Sequence, residues 1–261
     1  MFSDKPRRCT TVEALHWVLP FSANTGMFRS RRLPPLLHWL VFLTGWALLS
    51  STGATVRDEE IAECRVGEIS TWPDGTDRPA ISRQIRIVYR HDGAPAWFDA
   101  VTVSQSIDRA AQAWSGCGIP AELVADDNGV TALPDTVVIL WDEAGSLGNF
   151  GLANPGKRRL FLGPQAFRQL RKVNPGYDAR QTLQMVISHE LGHFFGLMAH
   201  SRRCVDVLSY YHDDHGNQCQ TRDPAGLKAV VEYRSQLPTA CDIARCRAVN
   251  RIPPLRDGRL Q

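Results

Sequence analysis

The chain has 261 residues, of which 43% are hydrophobic and 22% charged, which is typical of a globular protein and argues against overall disorder. The formal net charge of +3 comes from the N-terminal 54 residues, since the remainder holds 24 basic and 25 acidic residues. That remainder shows no basic cluster interleaved with aromatic residues, so nucleic acid is not expected as a partner.

The first 54 residues have the layout of a secretory signal peptide. Arginines at 29, 31 and 32 precede an apolar run of 14 residues, 36–49, and small residues follow it up to Ala54. The run is shorter than the ~20 residues that span a membrane. We expect translation to start at Met27 and cleavage after Ala54, which leaves a mature chain of about 207 residues. That chain would be secreted, extracellular or periplasmic, and free of the membrane; an uncleaved membrane anchor is the alternative.

Cysteine usage supports an exported chain. Cleavage after Ala54 removes Cys9 and leaves six cysteines, at 64, 117, 204, 219, 241 and 246. An even set in an exported chain predicts three disulfides. The sequence does not choose among the many pairings, although Cys204–Cys219 and Cys241–Cys246 are the simplest local pairs. The alternative for Cys64 is a free thiolate that blocks a metal site and keeps an enzyme latent.

Local patterns after the signal segment predict alternating strands and helices. A tight turn is expected at 72–75, where Trp-Pro-Asp-Gly combines turn-forming residues. Apolar patterning predicts strands over 84–90, 122–124, 135–141 and 159–163. Apolar residues at helical spacing predict a long helix from 98 to 114, and a helix directly after a strand favours a parallel crossover. The Gly-, Asn- and Pro-rich stretch 145–156 predicts an irregular edge or loop.

The next helix carries the residues on which the expected chemistry depends. Asp178 is a suitable N-cap, and an apolar stripe would anchor the helix beneath the sheet. His189 and His193 are four residues apart and lie on one helix face, so both imidazoles can reach one metal ion. Glu190 follows His189 and is placed to act on a water molecule at that ion without becoming a ligand.

A glycine and a third histidine follow this helix. Gly196 lets the helix end, because glycine adopts the left-handed conformation at little cost. The chain can then return His200 to the ion. Three histidine ligands with an open position are typical of catalytic rather than structural zinc. The sequence therefore predicts one catalytic Zn²⁺, and it neither predicts nor excludes a structural Ca²⁺.

Residues 84–236 resemble the catalytic domain of the metzincin zinc endopeptidases, most closely the matrixin-like secreted bacterial members. The specific part is 189–211, with the pattern HExxHxxG and, at 206–211, a turn that carries a methionine in the family. The resemblance implies an α+β fold with a twisted, mostly parallel sheet, an antiparallel edge strand, an active-site helix and a C-terminal helix. It also implies that Tyr210 assists beside the metal and that an extended peptide pairs along 146–154.

Two positions depart from the family pattern. The family spacing places the third histidine at position 199, where this chain has alanine, so the loop must accommodate one extra residue before His200. Asp206 and Asp213 are the substitute ligands if it does not. Leu208 stands at the methionine position, where an exchange of similar volume should be tolerated.

The C-terminal part of the chain carries weaker signals. His212 and His215, with Asp213 and Asp214 between them, form either a second metal site or, as we expect, a solvated loop. Asp223 as N-cap and Pro224 at the first position predict a helix. Its inward-facing residues would be Leu227, Val230, Val231 and Leu237. The mature chain would thus comprise an N-terminal segment (55–83), a zinc metallopeptidase domain (84–237) and a disulfide-clipped tail (238–261).

The expected function is hydrolysis of peptide bonds in a protein or peptide substrate by a monomeric, secreted zinc endopeptidase. His189, His193 and His200 would hold the ion. Glu190 would accept a proton from water and pass it to the leaving amine, while Tyr210 would help to hold the oxyanion. Two alternatives stay open: a secreted binding module that keeps the fold without turnover, and a peptidase that acts on cell-wall peptide crosslinks.

Overall fold

The structure, a computed structural model, describes residues 54–126, 129–213 and 215–254. The predicted signal segment, apart from Ala54 itself, lies outside the described residues, and so does Asp214. Within the described ranges, no helix has the length and apolar character needed to cross a membrane.

Five strands form one mixed sheet at the centre of the fold. They are β1 (Ile85–Arg90), β2 (Ala121–Leu123), β3 (Thr136–Trp141), β4 (Gly151–Asn154) and β5 (Arg159–Leu162). The order across the sheet is β2-β1-β3-β5-β4; β4 pairs antiparallel with β5, and every other neighbouring pair is parallel. The predicted α+β class, with a mostly parallel sheet and an antiparallel edge strand, is confirmed.

Helices cover the sheet and connect its strands. The long ones are α2 (Ala100–Ser115), α4 (Pro164–Val173), α5 (Ala179–Phe194) and α7 (Ala240–Val249), and the short ones are α1 (Val56–Ala62), α3 (Glu143–Ser146) and α6 (Pro224–Ala229). The helix predicted over 98–114 and the helix predicted after Asp178 are confirmed as α2 and α5. The parallel crossover from β1 through α2 to β2 is also confirmed. Asp178 caps α5 by accepting a hydrogen bond from the backbone N–H of Arg180.

The helix pair α2 and α5 builds much of the core. Both helices present buried apolar faces, and Trp114 of α2 is fully buried. Its indole Nε1 donates to the carbonyl of Ser188 on α5 at 2.8 Å. In the other direction, the side chain of Gln184 on α5 donates to the carbonyl of Ser106 on α2 at 3.0 Å. Because these contacts join buried residues of both helices, they fix the position of α5 against α2.

The predicted C-terminal helix is shorter than expected. It begins at Pro224 with Asp223 as N-cap, as predicted, but it ends at Ala229. Val230 and Val231, predicted to face inward, are 47% and 66% exposed. Two adjacent β-branched residues disfavour helix continuation, and Val230 takes an extended conformation. The helix that closes the C-terminal end is instead α7, which lies in the predicted tail and begins with a capping box formed by Thr239 and Asp242.

Three disulfides connect Cys64 to Cys241, Cys117 to Cys246 and Cys204 to Cys219. The predicted number and the Cys204–Cys219 pair are confirmed. The predicted Cys241–Cys246 pair is wrong, because both residues lie on α7 and five residues of helix separate their directions by about 140°. Cys64 is disulfide-bonded, so it is not a latency thiolate. Both flanking segments are thus covalently tied to the remainder of the fold.

Candidate metal centre

The end of α5 turns the chain back toward His189 and His193. Gly196 has φ 98°, and the amides of Gly196 and Leu197 donate to the carbonyls of His193 and Gly192, both at 3.2 Å. This is a Schellman motif, which usually requires glycine at the left-handed position. A Cβ on Gly196 would lie 1.9 Å from the Arg78 carbonyl oxygen, so glycine is needed for space as well.

The loop after Gly196 brings His200 to the other two histidines. The Nε2 atoms of His189 and His200 are 3.1 Å apart, and the ring centroids of His193 and His200 are 5.3 Å apart. One ring nitrogen from each of the three histidines lies within 4.8 Å of the others. The extra residue is therefore accommodated, and Ala199 is buried.

Neither substitute ligand is available to this site. Asp206 is buried and accepts hydrogen bonds from Ser201 at 2.6 Å, Arg203 at 2.8 Å and Thr239 at 2.6 Å. Asp213 accepts hydrogen bonds from backbone amides of its own turn. Both carboxylates are thus committed elsewhere. His212 and His215 are exposed beside Asp213, as expected for a solvated loop.

The hydrogen bonds of the three imidazoles fix which nitrogen faces the centre. Nδ1 of His189 contacts the Val207 carbonyl at 2.8 Å, Nδ1 of His193 the Leu197 carbonyl at 2.7 Å, and Nδ1 of His200 a carboxylate oxygen of Asp74 at 2.7 Å. A carbonyl or carboxylate oxygen only accepts, so each neutral ring carries its proton on Nδ1 and keeps a lone pair on Nε2.

Electrostatics keep these rings neutral. Burial, followed by the neighbouring histidines, holds the pKa of His189 well below its usual value, and burial lowers the pKa of His193 to about 4. Burial also lowers the pKa of His200, although Asp74 opposes the shift. Two nitrogens on one tetrahedral zinc are about 3.3 Å apart, close to the 3.1 Å between His189 and His200. The cluster could therefore hold a single metal ion.

Glu190 follows His189 on α5 and contacts the edge strand β4. It is buried, and its Oε2 accepts a hydrogen bond from the backbone N–H of Ala153 on β4 at 2.7 Å. Burial raises the pKa of Glu190 to about 7, against a smaller opposite effect of the Ala153 hydrogen bond. A carboxylate held in this way, next in sequence to His189, can accept and return a proton near neutral pH.

Gly151 allows β4 to approach α5 closely. A Cβ at this position would lie 2.5 Å from Val186 Cγ1 and 2.9 Å from Glu190 Cγ. We expect Gly151→Ala to lower the free energy of unfolding by about 1–3 kcal/mol, because strand or side chains must shift to admit the methyl group. Denaturant unfolding measures this, with Gly176→Ala as the matched control, since a Cβ on Gly176 meets nothing within 4 Å. Equal stability of the two variants would contradict the close approach.

The turn at 206–211 lies beside the histidine cluster. Leu208 is fully buried, and its Cδ1 would lie 2.9 Å from a Cβ on Gly192 of α5. It thus packs against α5 next to His193. The ring of Tyr210 stacks on His200 with centroids 3.8 Å apart, and Tyr210 remains 44% exposed. Its side chain therefore lies between His200 and solvent.

Sequence patterns did not identify several residues that shape this site. Asp74 accepts a hydrogen bond from His200. Asp77 and Arg245 contact the loop that leads from Gly196 to His200. The backbone N–H of Ala153 positions Glu190. The turn at 72–75 was predicted and is present, but nothing in the local sequence connects it to His200, 126 residues away.

No protein-family model matches this sequence, and no curated protein matches it in sequence. Among solved structures, a chain of the GM1-bound form of the ECX AB5 holotoxin is similar, with a TM-score of 0.37 and 12% sequence identity. The match covers 69% of this chain and 91% of that chain.

Proposed function

We propose that this protein is a secreted zinc-dependent endopeptidase of the metzincin type. The observation that carries the proposal is the convergence of the Nε2 lone pairs of His189, His193 and His200, with Glu190 next to His189 on the same helix. Three histidines leave a fourth coordination position open, as catalytic zinc requires. The mostly parallel sheet with an antiparallel edge strand supports the same family, although Ala199 and Leu208 depart from its pattern.

The proposed chemistry divides between the ion and Glu190. When bound, zinc supplies a Lewis acid that acidifies water and polarises the scissile carbonyl. Glu190 accepts the proton from that water at its carboxylate and delivers it to the nitrogen of the leaving amine. The hydrogen bond from Ala153 holds one oxygen of the carboxylate in place while the other stays available for the proton. Tyr210, whose ring stacks on His200, donates a hydrogen bond from its hydroxyl to the developing oxyanion.

The edge strand β4 is the proposed site of substrate pairing. The sheet order places β4 at one edge, where its outer side pairs with no other strand of the described residues. An extended peptide can add to such an edge through main-chain hydrogen bonds. Because Ala153 of β4 contacts Glu190 directly, a peptide on this edge would pass close to the metal cluster. This arrangement suits an endopeptidase that binds its substrate as an extended strand.

The test is cleavage of an unfolded protein substrate by the purified protein. We expect cleavage that a chelator abolishes and that added zinc restores. A protein that binds zinc stoichiometrically and yet cleaves neither this substrate nor peptide crosslinks of the cell wall would be a binding module, and the proposal would fail. Cleavage of the crosslinks alone would instead identify a cell-wall peptide hydrolase.

The pH dependence of cleavage is expected to show a rising limb centred below about pH 7. Glu190 must be ionised to accept a proton, and burial raises its pKa to about 7. A bound divalent cation favours the carboxylate and moves this pKa downward. The active form is therefore populated as pH rises through that range. Measuring kcat/KM from roughly pH 4.5 to 8 checks this, and a rate that falls steadily with rising pH would contradict the role of Glu190.

A further inference from the structure

We propose that Asp74 is a positioning residue of the metal centre. We also propose that the segment 72–78, which precedes the metzincin-like residues 84–236, is a required part of that centre. The inference rests on the proposed function only in taking His189, His193 and His200 as metal ligands. It goes beyond that function by assigning to the N-terminal segment a role in metal retention.

Asp74 contacts the third histidine twice. One carboxylate oxygen accepts a hydrogen bond from the backbone N–H of His200 at 3.0 Å, and the other accepts one from its Nδ1 at 2.7 Å. The two contacts fix both the backbone position of His200 and the orientation of its ring. They also hold the proton on Nδ1 and leave the Nε2 lone pair facing His189 and His193. A carboxylate behind the imidazole also makes it a better electron donor to a metal.

The same segment holds the loop that leads to His200. Asp77 Oδ1 accepts hydrogen bonds from the amides of Met198 at 2.9 Å and Ala199 at 3.1 Å. Arg245 of α7 contacts both oxygens of Asp77, at 2.7 and 2.6 Å, and donates to the Ala199 carbonyl at 2.5 Å. Every backbone amide from Met198 to His200 therefore has a carboxylate partner from Asp74 or Asp77.

Backbone contacts fasten the segment on both sides of Asp74. The amide of Trp72 donates to the His200 carbonyl at 2.8 Å, and the amide of Arg78 donates to the Gly196 carbonyl at 3.0 Å. Gly75 lies so close to the loop that a Cβ would be 2.5 Å from the Met198 carbonyl oxygen. The Cys64–Cys241 disulfide ties the chain shortly before this segment to α7, the helix that carries Arg245. The segment is thus held in place against the histidine loop.

These contacts explain how His200 reaches the ion one residue later than the family spacing. A loop with one extra residue has more conformations to lose, and without outside contacts it would hold the third imidazole less firmly. Asp74 and Asp77 supply those contacts. Because Asp74 binds Nδ1 and not Nε2, the segment lies behind the ligand and leaves the coordinating side open. It acts in support of the site and not as an inhibitory segment across it.

The test is the zinc affinity of the metal-free protein, measured by competition with a chromophoric chelator. We expect Asp74→Asn to weaken zinc binding by about 10- to 100-fold, the usual cost of losing a carboxylate behind a ligating imidazole. The near-isosteric asparagine can still accept one hydrogen bond, which favours folding. Asp92→Asn is the matched control, because Asp92 is exposed in the turn after β1. This variant should bind zinc with the affinity of the wild type.

A second readout separates positioning from a general loss of stability. Cobalt(II) in the site gives a visible spectrum that depends on ligand geometry, and we expect Asp74→Asn to alter it at full occupancy while Asp92→Asn does not. The proposal would be overturned if Asp74→Asn matched the wild type in both its zinc affinity and its cobalt spectrum. Since neither readout requires cleavage, an Asp74 effect in a protein that cleaves nothing would support this inference and refute only the proposed function.

Discussion

Glu190→Gln is expected to leave zinc bound and to lower kcat for peptide cleavage by about 10²- to 10⁴-fold, the usual contribution of a positioned general base. Glutamine has nearly the same shape, and its amide oxygen can still accept the hydrogen bond that Ala153 donates at 2.7 Å. It cannot accept a proton from water. The variant should therefore keep its fold, its metal and its substrate affinity while it loses the chemical step.

The comparison that makes this result specific is Glu122→Gln. Glu122 is an exposed residue of β2, at the opposite edge of the sheet from β4, so the change removes one carboxylate without touching the histidine cluster. Its activity should equal that of the wild type. Zinc content and cleavage rate are measured on the same samples. Full activity in Glu190→Gln would overturn the assignment of the general base.

His200→Ala is expected to weaken zinc binding by more than about 100-fold, since removal of a ligand should cost more than removal of a group behind one. The remaining two histidines are held by their own carbonyl partners, Val207 and Leu197, and cannot fill the third position. Asp206 cannot replace His200, because it accepts three hydrogen bonds from other side chains. Cleavage should fall with the loss of the ion.

The matched control for this variant is His212→Ala. His212 is exposed and lies twelve residues further along the chain, so its loss should leave zinc affinity unchanged. Competition with a chelator measures both variants, and circular dichroism of the metal-free proteins checks their fold. If His200→Ala bound zinc as tightly as His212→Ala, the ion would have to be held by a different set of residues.

The parts of the site that could be predicted from sequence are those set by local geometry. Helical spacing alone places His189 and His193 on one face, and a glycine after them predicts the helix end. The position of His200 could be predicted only as a hypothesis, because it depends on contacts with Asp74 and Asp77, more than a hundred residues earlier in the chain. Likewise the Cys64–Cys241 and Cys117–Cys246 disulfides join residues 177 and 129 apart, which no local pattern indicates.

Some missed elements did carry a local signal. Thr239 is followed three residues later by Asp242, and Thr55 by Asp58, and both pairs form capping boxes at the starts of α7 and α1. These patterns predict helices in the tail (238–261) and in the N-terminal segment (55–83), where hydrophobic periodicity alone indicates none. By contrast, the apolar pair Val230 and Val231 suggested a buried helix face, but β-branched neighbours favour extended chain, and the structure has them exposed.

The most direct measurement of the central claim is the rate of cleavage of an unfolded protein substrate as zinc is titrated into the metal-free protein. If His189, His193 and His200 hold one catalytic ion and Glu190 acts beside it, the rate rises in proportion to bound zinc and levels off at one equivalent. Glu190→Gln, loaded to the same occupancy, cleaves about 10²- to 10⁴-fold more slowly. A protein that takes up one equivalent of zinc and cleaves nothing, or that cleaves equally well without zinc, would contradict the claim.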